Sequence, residues 1–453
     1  MRRGAKLHGL LTKIGYPASM SDTPPLAPAP QQRATDPRPA SAVSHGAGLA
    51  GLAGVLGWVA CARSWGMDGP YAALVNLVAC GMPMILWSLL VDKVHRRPST
   101  GIDWSRPRPW RTMIDVSLTK LAGFWATWAG IAILYGAGRF YWEGNFAFAM
   151  WCFTSAAPIL FVASIVYVVW LDRYLVAPKD GAWSLGAWLT GQAGVDPAAI
   201  HNHLRSWGVK AFFLAFMLAI VPGGFGEFIR GDLGATLRDP VALAKWLITF
   251  MFLIDVAFAT VGYIVTLRPL DSHIRSANPF AGAWMAALMC YPPIILMSDG
   301  GPLDYHPGTQ EWNVWFQYHP VLLVVIGTML VALTAVYAWA TMAFGLRFSN
   351  LTNRGILTHG PYAWSRHPAY LSKNLFWWLS TIPVLTTGTP IDAMRATLLL
   401  AAVSGVYYWR ARTEERHLGL DPDYRVYSAW MARNGPVPRL LAWVAGSGRA
   451  SGA

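Results

Sequence analysis

Residues 320–345, PVLLVVIGTMLVALTAVYAWATMAFG, run 26 positions without a charged side chain. About 20 apolar residues at 1.5 Å rise cross the hydrocarbon of a bilayer, so this stretch reads as a transmembrane helix. The same pattern recurs on the N-terminal side at 46–63, 71–92, 117–136, 147–171, 209–225, 244–267 and 282–297, and on the C-terminal side at 371–387 and 393–411. The chain is 54% hydrophobic and only 13% charged. Its 24 tryptophans suit the boundary between lipid and water. The expectation is an all-α polytopic membrane protein with about ten transmembrane helices. The runs at 209–225, 282–297 and 371–387 are short or interrupted by Pro222, by Pro292 with Pro293, and by Pro383. They read as tilted or re-entrant segments.

Charge placement orients the chain. The net charge of +13 lies in short stretches between apolar runs and in the tails, not on a face interleaved with stacking aromatics, so nucleic acid is not an expected partner. Lys93, Arg96, Arg97, Arg106, Arg108, Arg111, Arg173, Lys179, Arg205, Arg268, Arg275, Arg347, Arg354, Arg366 and Lys373 fall on one side of the spans. Arg139, Arg230 and Arg238 fall on the other. The positive-inside rule puts the rich side, and both termini, in the cytosol. The Ala-, Gly- and Trp-rich composition looks bacterial, which suggests the inner membrane.

Residues 1–45 are rich in Pro, Ala and Ser and start with Arg2, Arg3, Lys6 and Lys13. They lack the apolar core of a signal peptide and read as a disordered cytosolic tail. Cys61, Cys80, Cys152 and Cys290 all sit in apolar runs, without a CxxC. They read as small buried hydrophobes. His201 and His203 form an isolated HxH and no HExxH occurs, so no metal site is expected.

Two polar clusters carry the chemistry. After the 320–345 run comes Leu357-Thr358-His359-Gly360-Pro361-Tyr362-Ala363-Trp364-Ser365-Arg366-His367-Pro368-Ala369-Tyr370-Leu371. Taken singly, these residues suit an interfacial belt, with aromatics at the boundary and Arg toward headgroups. The last span ends in Tyr407-Tyr408-Trp409-Arg410-Ala411-Arg412-Thr413-Glu414-Glu415. Arg410 and Glu414 are four apart and share a helix face, which an ion-paired helix end would also produce. Both clusters arrive on the same side of the membrane.

Together they resemble the isoprenylcysteine carboxyl methyltransferase family of membrane methyltransferases. The matching features are Gly360-Pro361-Tyr362, then Arg366-His367-Pro368-x-Tyr370, then Arg410-x-Arg412-Thr413-Glu414-Glu415, and a tail from Tyr424 to Pro438. The resemblance covers roughly 320–440 and suggests three regions: the tail 1–45, a helical region 46–315 of unassigned role, and a methyltransferase-like unit 316–453. It implies S-adenosylmethionine as methyl donor. It also implies a cofactor pocket shaped by Gly360, Tyr362, His367, Pro368, Tyr370 and Glu414, with Arg366, Arg410 and Glu415 as the essential, catalytic positions. The implied acceptor is lipophilic: an isoprenoid or lipid, a carboxylate among them, or a lipidated molecule drawn from the surrounding membrane lipids.

Elementary chemistry gives these residues work. Methyl transfer gains most from alignment of nucleophile and donor. Aromatic faces such as Tyr362 and Tyr370 favour a sulfonium by about 0.5–2 kcal/mol. A carboxylate acceptor is already ionised and needs a cation, for which Arg366 or Arg410 is suited. Glu415 can hold the donor's amino group or balance Arg410. Ser372 stands where the family commonly has Gly, which raises the question of a positive-φ turn there.

Other features compete for attention. Asp255 lies mid-span in 244–267, where a lone carboxylate is either functional or a polar link between helices. Pro222-Gly223-Gly224-Phe225-Gly226 follows a helix, not a strand, which disfavours a phosphate cradle. Residues 196–207 read as an interfacial amphipathic helix. Two alternatives stand beside the methyltransferase: an NADPH-dependent membrane sterol or steroid reductase, whose Arg-His-Pro-x-Tyr usually has Asn where Ala369 stands, and a non-catalytic, transporter-like protein.

Overall fold

The structure is a computed structural model that describes residues 37–436 and Arg439. Arg2, Arg3, Lys6, Lys13 and Pro438 lie outside the described residues. Of the described residues, 71% are helical. Its helices are α1 His45–Trp65, α2 Pro70–Leu90, α3 Trp110–Ala137, α4 Phe146–Asp172, α5 Gly181–Leu189, α6 Pro197–Arg230 and α7 Leu233–Thr236. They continue as α8 Pro240–Ile264, α9 Ala281–Leu288, α10 Trp312–Trp315, α11 Pro320–Ala343, α12 Pro368–Thr381, α13 Pro390–Leu418 and α14 Pro422–Asn434. Two short strands, β1 Ser276–Ala277 and β2 Thr352–Asn353, pair antiparallel.

Seven of these helices, among the described residues, are long and apolar enough to cross a membrane: α1, α2, α3, α4, α6, α8 and α11. The expected ten are not reached by continuous apolar helices, for three local reasons. Within 282–297 the helix stops at Leu288, eight residues long, before Pro292 and Pro293. Within 371–387, α12 is 14 residues and ends at Ile382, whose φ of 48° lies in the left-handed region. The 393–411 run belongs to the 29-residue α13, which carries Asp392 and Arg395 at one end and Arg410 to Arg416 at the other.

Helix 209–225 differs in the opposite sense. Pro222 does not break it, and the expected interfacial helix 196–207 is its first part, so one 34-residue helix runs through both. Apolar surroundings on all sides leave the backbone no water to bond, which favours continuation through a proline. Pro222-Gly223-Gly224-Phe225-Gly226 is therefore helical. Helix α6 is also the centre of the bundle, with 61% of its apolar window buried against 11% for α4.

Close backbone approach sets the packing. A Cβ on Gly54 would meet the Ala79 carbonyl oxygen at 1.8 Å, and one on Gly186 would meet that of Thr119 at 1.8 Å. Small residues thus let α1 cross α2 and α5 cross α3, as in other membrane helix pairs. One buried charge is doubly paired: Lys120 Nζ meets Asp172 at 2.5 Å and Asp180 at 3.2 Å. Asp255 accepts a hydrogen bond from the Thr341 hydroxyl and so links α8 to α11.

One end of the bundle is organised by two arginines. The Arg354 side chain donates to the carbonyls of Gly262, Val265, Ser272, Leu346 and Phe348, which include the C-terminal turns after α8 and α11. A cation there also suits the negative ends of two helix dipoles. Arg347 donates to Asp271 Oδ2 at 2.5 Å and to the Arg354 carbonyl at 2.8 Å. Asp271 further faces Arg275 at 3.7 Å and Arg97 at 3.9 Å. Residues 38–44, from the segment expected to be a tail, run along this end, with Ala42 N–H on the Ile356 carbonyl and Thr358 Oγ1 on the Pro39 carbonyl.

The segment 277–311 leaves that end at the β1–β2 pair and reaches the other, where Glu311 pairs with Lys245 at the start of α8 at 2.6 Å. It does so as α9 plus irregular backbone. Such backbone is tolerated at membrane depth where it is buried in protein or lines a cavity. Its place against α13 is what shapes the site.

Candidate functional site

The polar loop and the end of α13 meet. Gly360 opens a single 3₁₀ turn, Gly360–Ala363, with φ +56°, and a Cβ there would meet the Trp339 indole nitrogen at 3.2 Å. A side chain there is strained by backbone and neighbour alike. Pro368 is buried at the first position of α12, where a proline's fixed φ is pre-organised. His367 precedes it as the cap, its N–H donated to Ser365 Oγ at 3.2 Å. This sets Arg366 and His367 toward α13.

Glu415 receives them. Its Oε1 lies 3.0 Å from Arg366 Nη1 and 3.1 Å from His367 Nε2, and its Oε2 lies 2.7 Å from Arg412 Nη1. Burial alone would raise the Glu415 pKa. The His367 hydrogen bond and the Arg366, His367 and Arg412 charges outweigh it and hold the carboxyl below its ordinary value. Arg366 also donates to Ser428 Oγ of α14 at 3.0 Å. One turn further along α12, the Tyr370 hydroxyl donates to Glu414 Oε2 at 3.0 Å. The His367 and Tyr370 rings are parallel, with centroids 5.7 Å apart.

Depressed carboxyl pKa values add stability that is present above the ordinary carboxylate range and is lost as pH falls through the folded value. Glu415→Gln is therefore expected to be less stable than the wild type at neutral pH. The gap should close on acidification below about pH 4. Thermal unfolding in detergent across pH checks this; a gap that persists at acid pH would contradict it.

Arg410 stands apart from that cluster. It is 5% exposed, and among the described residues it forms no ion pair and one hydrogen bond, to Asn350 Oδ1 at 3.3 Å. Three rings surround its guanidinium, with centroids at 5.1 Å for Tyr370, 5.1 Å for Tyr407 and 5.5 Å for Tyr291. Arg410, Tyr370 and Glu414 line one side of a cleft whose other side is Asn278, Ala283 and Ala287. His417 lines it too, bonded to Ser276 Oγ at 3.0 Å, and burial together with Arg205 pulls its pKa down to about 4. A second, more open cleft lies beyond Glu415, lined by Arg366, Arg412, Arg416, Tyr424 and Arg425.

The residues singled out in the sequence therefore divide. Arg366, His367 and Glu415 come together, as do Tyr370, Glu414 and Arg410. Glu415 does not balance Arg410. Gly360 and Pro368 shape the loop from behind. Tyr362 packs edge-on against Phe344 at 5.3 Å, and its carbonyl accepts from Tyr427 at 2.7 Å. Burial first, then the Glu414 charge, raises the Tyr362 phenol well above its ordinary pKa. Ser372 is helical and buried, its hydroxyl donated to the Pro368 carbonyl at 2.8 Å, so the position asks for a small residue and not for positive φ.

Several contributors carried no sequence signal. Asn278 and Tyr291 are far from either motif, and Asn350 is a lone amide. Tyr407 was visible as the residue three before Arg410 on the same face. Asp299, Asp304 and His306 bring ligand atoms within 4.8 Å of one another. Asp304 already accepts from Gly300 N–H and from His306, which accounts for that group as a turn.

Residues 320–419 match the model of the isoprenylcysteine carboxyl methyltransferase (ICMT) family. The match runs from the first residue of α11 through α13, and so includes the loop, Arg366, His367, Tyr370, Arg410, Glu414 and Glu415. No curated protein and no solved structure matches the chain.

Proposed function

We propose that this chain is an integral-membrane, S-adenosylmethionine-dependent methyltransferase acting on a lipophilic acceptor, carboxylates included, at the cytosolic face. The observation that carries the reading is the meeting of two separated motifs of the matched segment: Arg366 and His367 on Glu415, and Tyr370 on Glu414. The cytosolic assignment follows from charge. Arg97, Arg275, Arg347 and Arg354 gather at the same end as the site, as the positive-inside rule requires of a cytosolic end.

The donor set suits the cofactor. S-adenosylmethionine, when bound, supplies an electrophilic methyl group on a sulfonium and brings an ammonium, a carboxylate and an adenosine. Glu414, held by Tyr370, offers an acceptor for an ammonium. The Tyr370 and His367 rings offer faces to a cation. The Glu415 oxygens are taken by Arg366, His367 and Arg412, so Glu415 holds His367 in place. Arg410 is the counter-charge for an acceptor carboxylate. A buried guanidinium without a carboxylate partner is costly, and an entering anion relieves that cost. An ionised acceptor needs no general base. Burial strips its hydration, and the tyrosine cage keeps Arg410 from swinging away.

Methyl-labelled S-adenosylmethionine incubated with the purified protein and a membrane lipid extract tests this. Label entering the organic phase and released by base as methanol supports an ester product. Absence of label in the organic phase would sink the methyltransferase reading.

A further inference from the structure

The cleft at Arg410 is not built by the matched segment alone. Its other side is Asn278 and, one helical turn apart on α9, Ala283 and Ala287. These come from the region to which the sequence assigns no role. Tyr291, just after α9, completes the ring cage over Arg410 and lies 3.4 Å from Asn350. Both alanines are buried small residues that line the cleft together with Arg410.

This wall is fixed. Asn278 Oδ1 accepts the Phe280 N–H at 3.0 Å, and its Nδ2 donates to the Thr413 carbonyl of α13 at 3.3 Å. The Trp284 indole donates back to the Asn278 carbonyl at 2.9 Å. The Arg416 guanidinium sits 3.9 Å over the Phe280 ring. The segment leading into α9 is thereby tied to α13 at Asn278 and Phe280, and after α9 Tyr291 meets Arg410 of α13, at residues other than the two alanines. A side chain added at 283 or 287 has to take room from the ligand, because the helix has little freedom to retreat.

We propose that Ala283 and Ala287 are specificity-determining residues for the acceptor: they limit the bulk next to the carboxylate that meets Arg410. The proposal rests on the methyltransferase reading and goes beyond the family-matched segment, since it gives the first part of the chain a role in choosing the substrate. Tyr370 and Glu414, across the cleft, remain the donor's side.

The test uses the full-length protein in detergent, with straight-chain and α-branched long-chain carboxylic acids as acceptors and S-adenosylhomocysteine as the donor-site probe. Ala287→Leu is expected to lower kcat/KM for the branched acid about 10-fold or more relative to the straight one. Affinity for S-adenosylhomocysteine should stay within about twofold, which also reports a folded site. Ala287→Gly, which enlarges the cleft, should shift preference toward the branched acid. Three results would overturn the proposal: unchanged acid preference in both variants, parallel loss of S-adenosylhomocysteine affinity in Ala287→Leu, or a wild type that binds S-adenosylhomocysteine yet methylates no acid. Failure of the wild type to bind S-adenosylhomocysteine is a different outcome and overturns the methyltransferase reading itself.

Discussion

Arg410→Met is expected to lower methyl transfer to a carboxylate acceptor about 10²–10³-fold while the protein stays folded. The magnitude is that of removing one preorganised charged donor from a dry site. The fold should survive because the protein itself asks little of this side chain: one long hydrogen bond to Asn350 and three ring contacts. Cation–π contacts are worth about 0.5–2 kcal/mol. Against their loss stands relief of a buried charge with no carboxylate partner. Arg410→Lys should recover little activity, since an ammonium cannot grip a carboxylate with two parallel hydrogen bonds. The check is a methyl-transfer assay beside thermal unfolding of the same preparation. Loss of folding in Arg410→Met, or full activity, would contradict the assignment.

Arg354→Met is expected to do the reverse and damage the fold itself, by about 3–5 kcal/mol or more. Five carbonyls from three separate segments depend on that one guanidinium. Removing it takes a donor from all five, of which Val265 keeps the Ser272 hydroxyl at 3.0 Å, and each group left unsatisfied costs about 1–3 kcal/mol. It also frees Arg347 and Asp271, which are tied to the same loop. Lysine has three donors on one nitrogen and cannot reach all five carbonyls. Arg354→Lys should therefore fall between. Size-exclusion profiles and unfolding temperatures in detergent check the order wild type, Lys, Met; a Met variant as stable as wild type would refute this account of the loop.

The contrast between these two arginines shows where sequence reading works. Both sit in polar stretches at the ends of apolar runs; Arg354 counted only as positive charge orienting the chain, Arg410 only as a motif residue. Their opposite roles depend on partners from α8, α11 and the 262–272 turn, which no local pattern announces. The long spans were legible because a run such as 320–345 has no soluble explanation. Of the spans not matched by a long apolar helix, 282–297 and 371–387 are ones whose prolines flagged them, and 393–411 lies in a helix that carries Asp392, Arg395 and Arg410 within it. Pro222 misled in the other direction, because a proline in a protein-lined helix costs less than its propensity implies.

In the site, Arg366, His367, Tyr370, Glu414 and Glu415 were legible as motif residues. Which carboxylate faces which arginine was not. Neighbours 414 and 415 point about 100° apart on a helix of 3.6 residues per turn, so one serves the His367 cluster and the other the cleft. Asn278, Ala283, Ala287 and Tyr291 were invisible, because they belong to an irregular crossing whose value lies in what it packs against.

Calorimetry on the purified protein in detergent, with S-adenosylhomocysteine and NADPH titrated separately, tests the central claim most directly. Binding of S-adenosylhomocysteine in the micromolar range, weakened in Glu414→Ala and without binding of NADPH, is the result predicted here. Binding of NADPH alone would contradict the methyltransferase account and favour a reductase, and binding of neither would remove the claim to either chemistry.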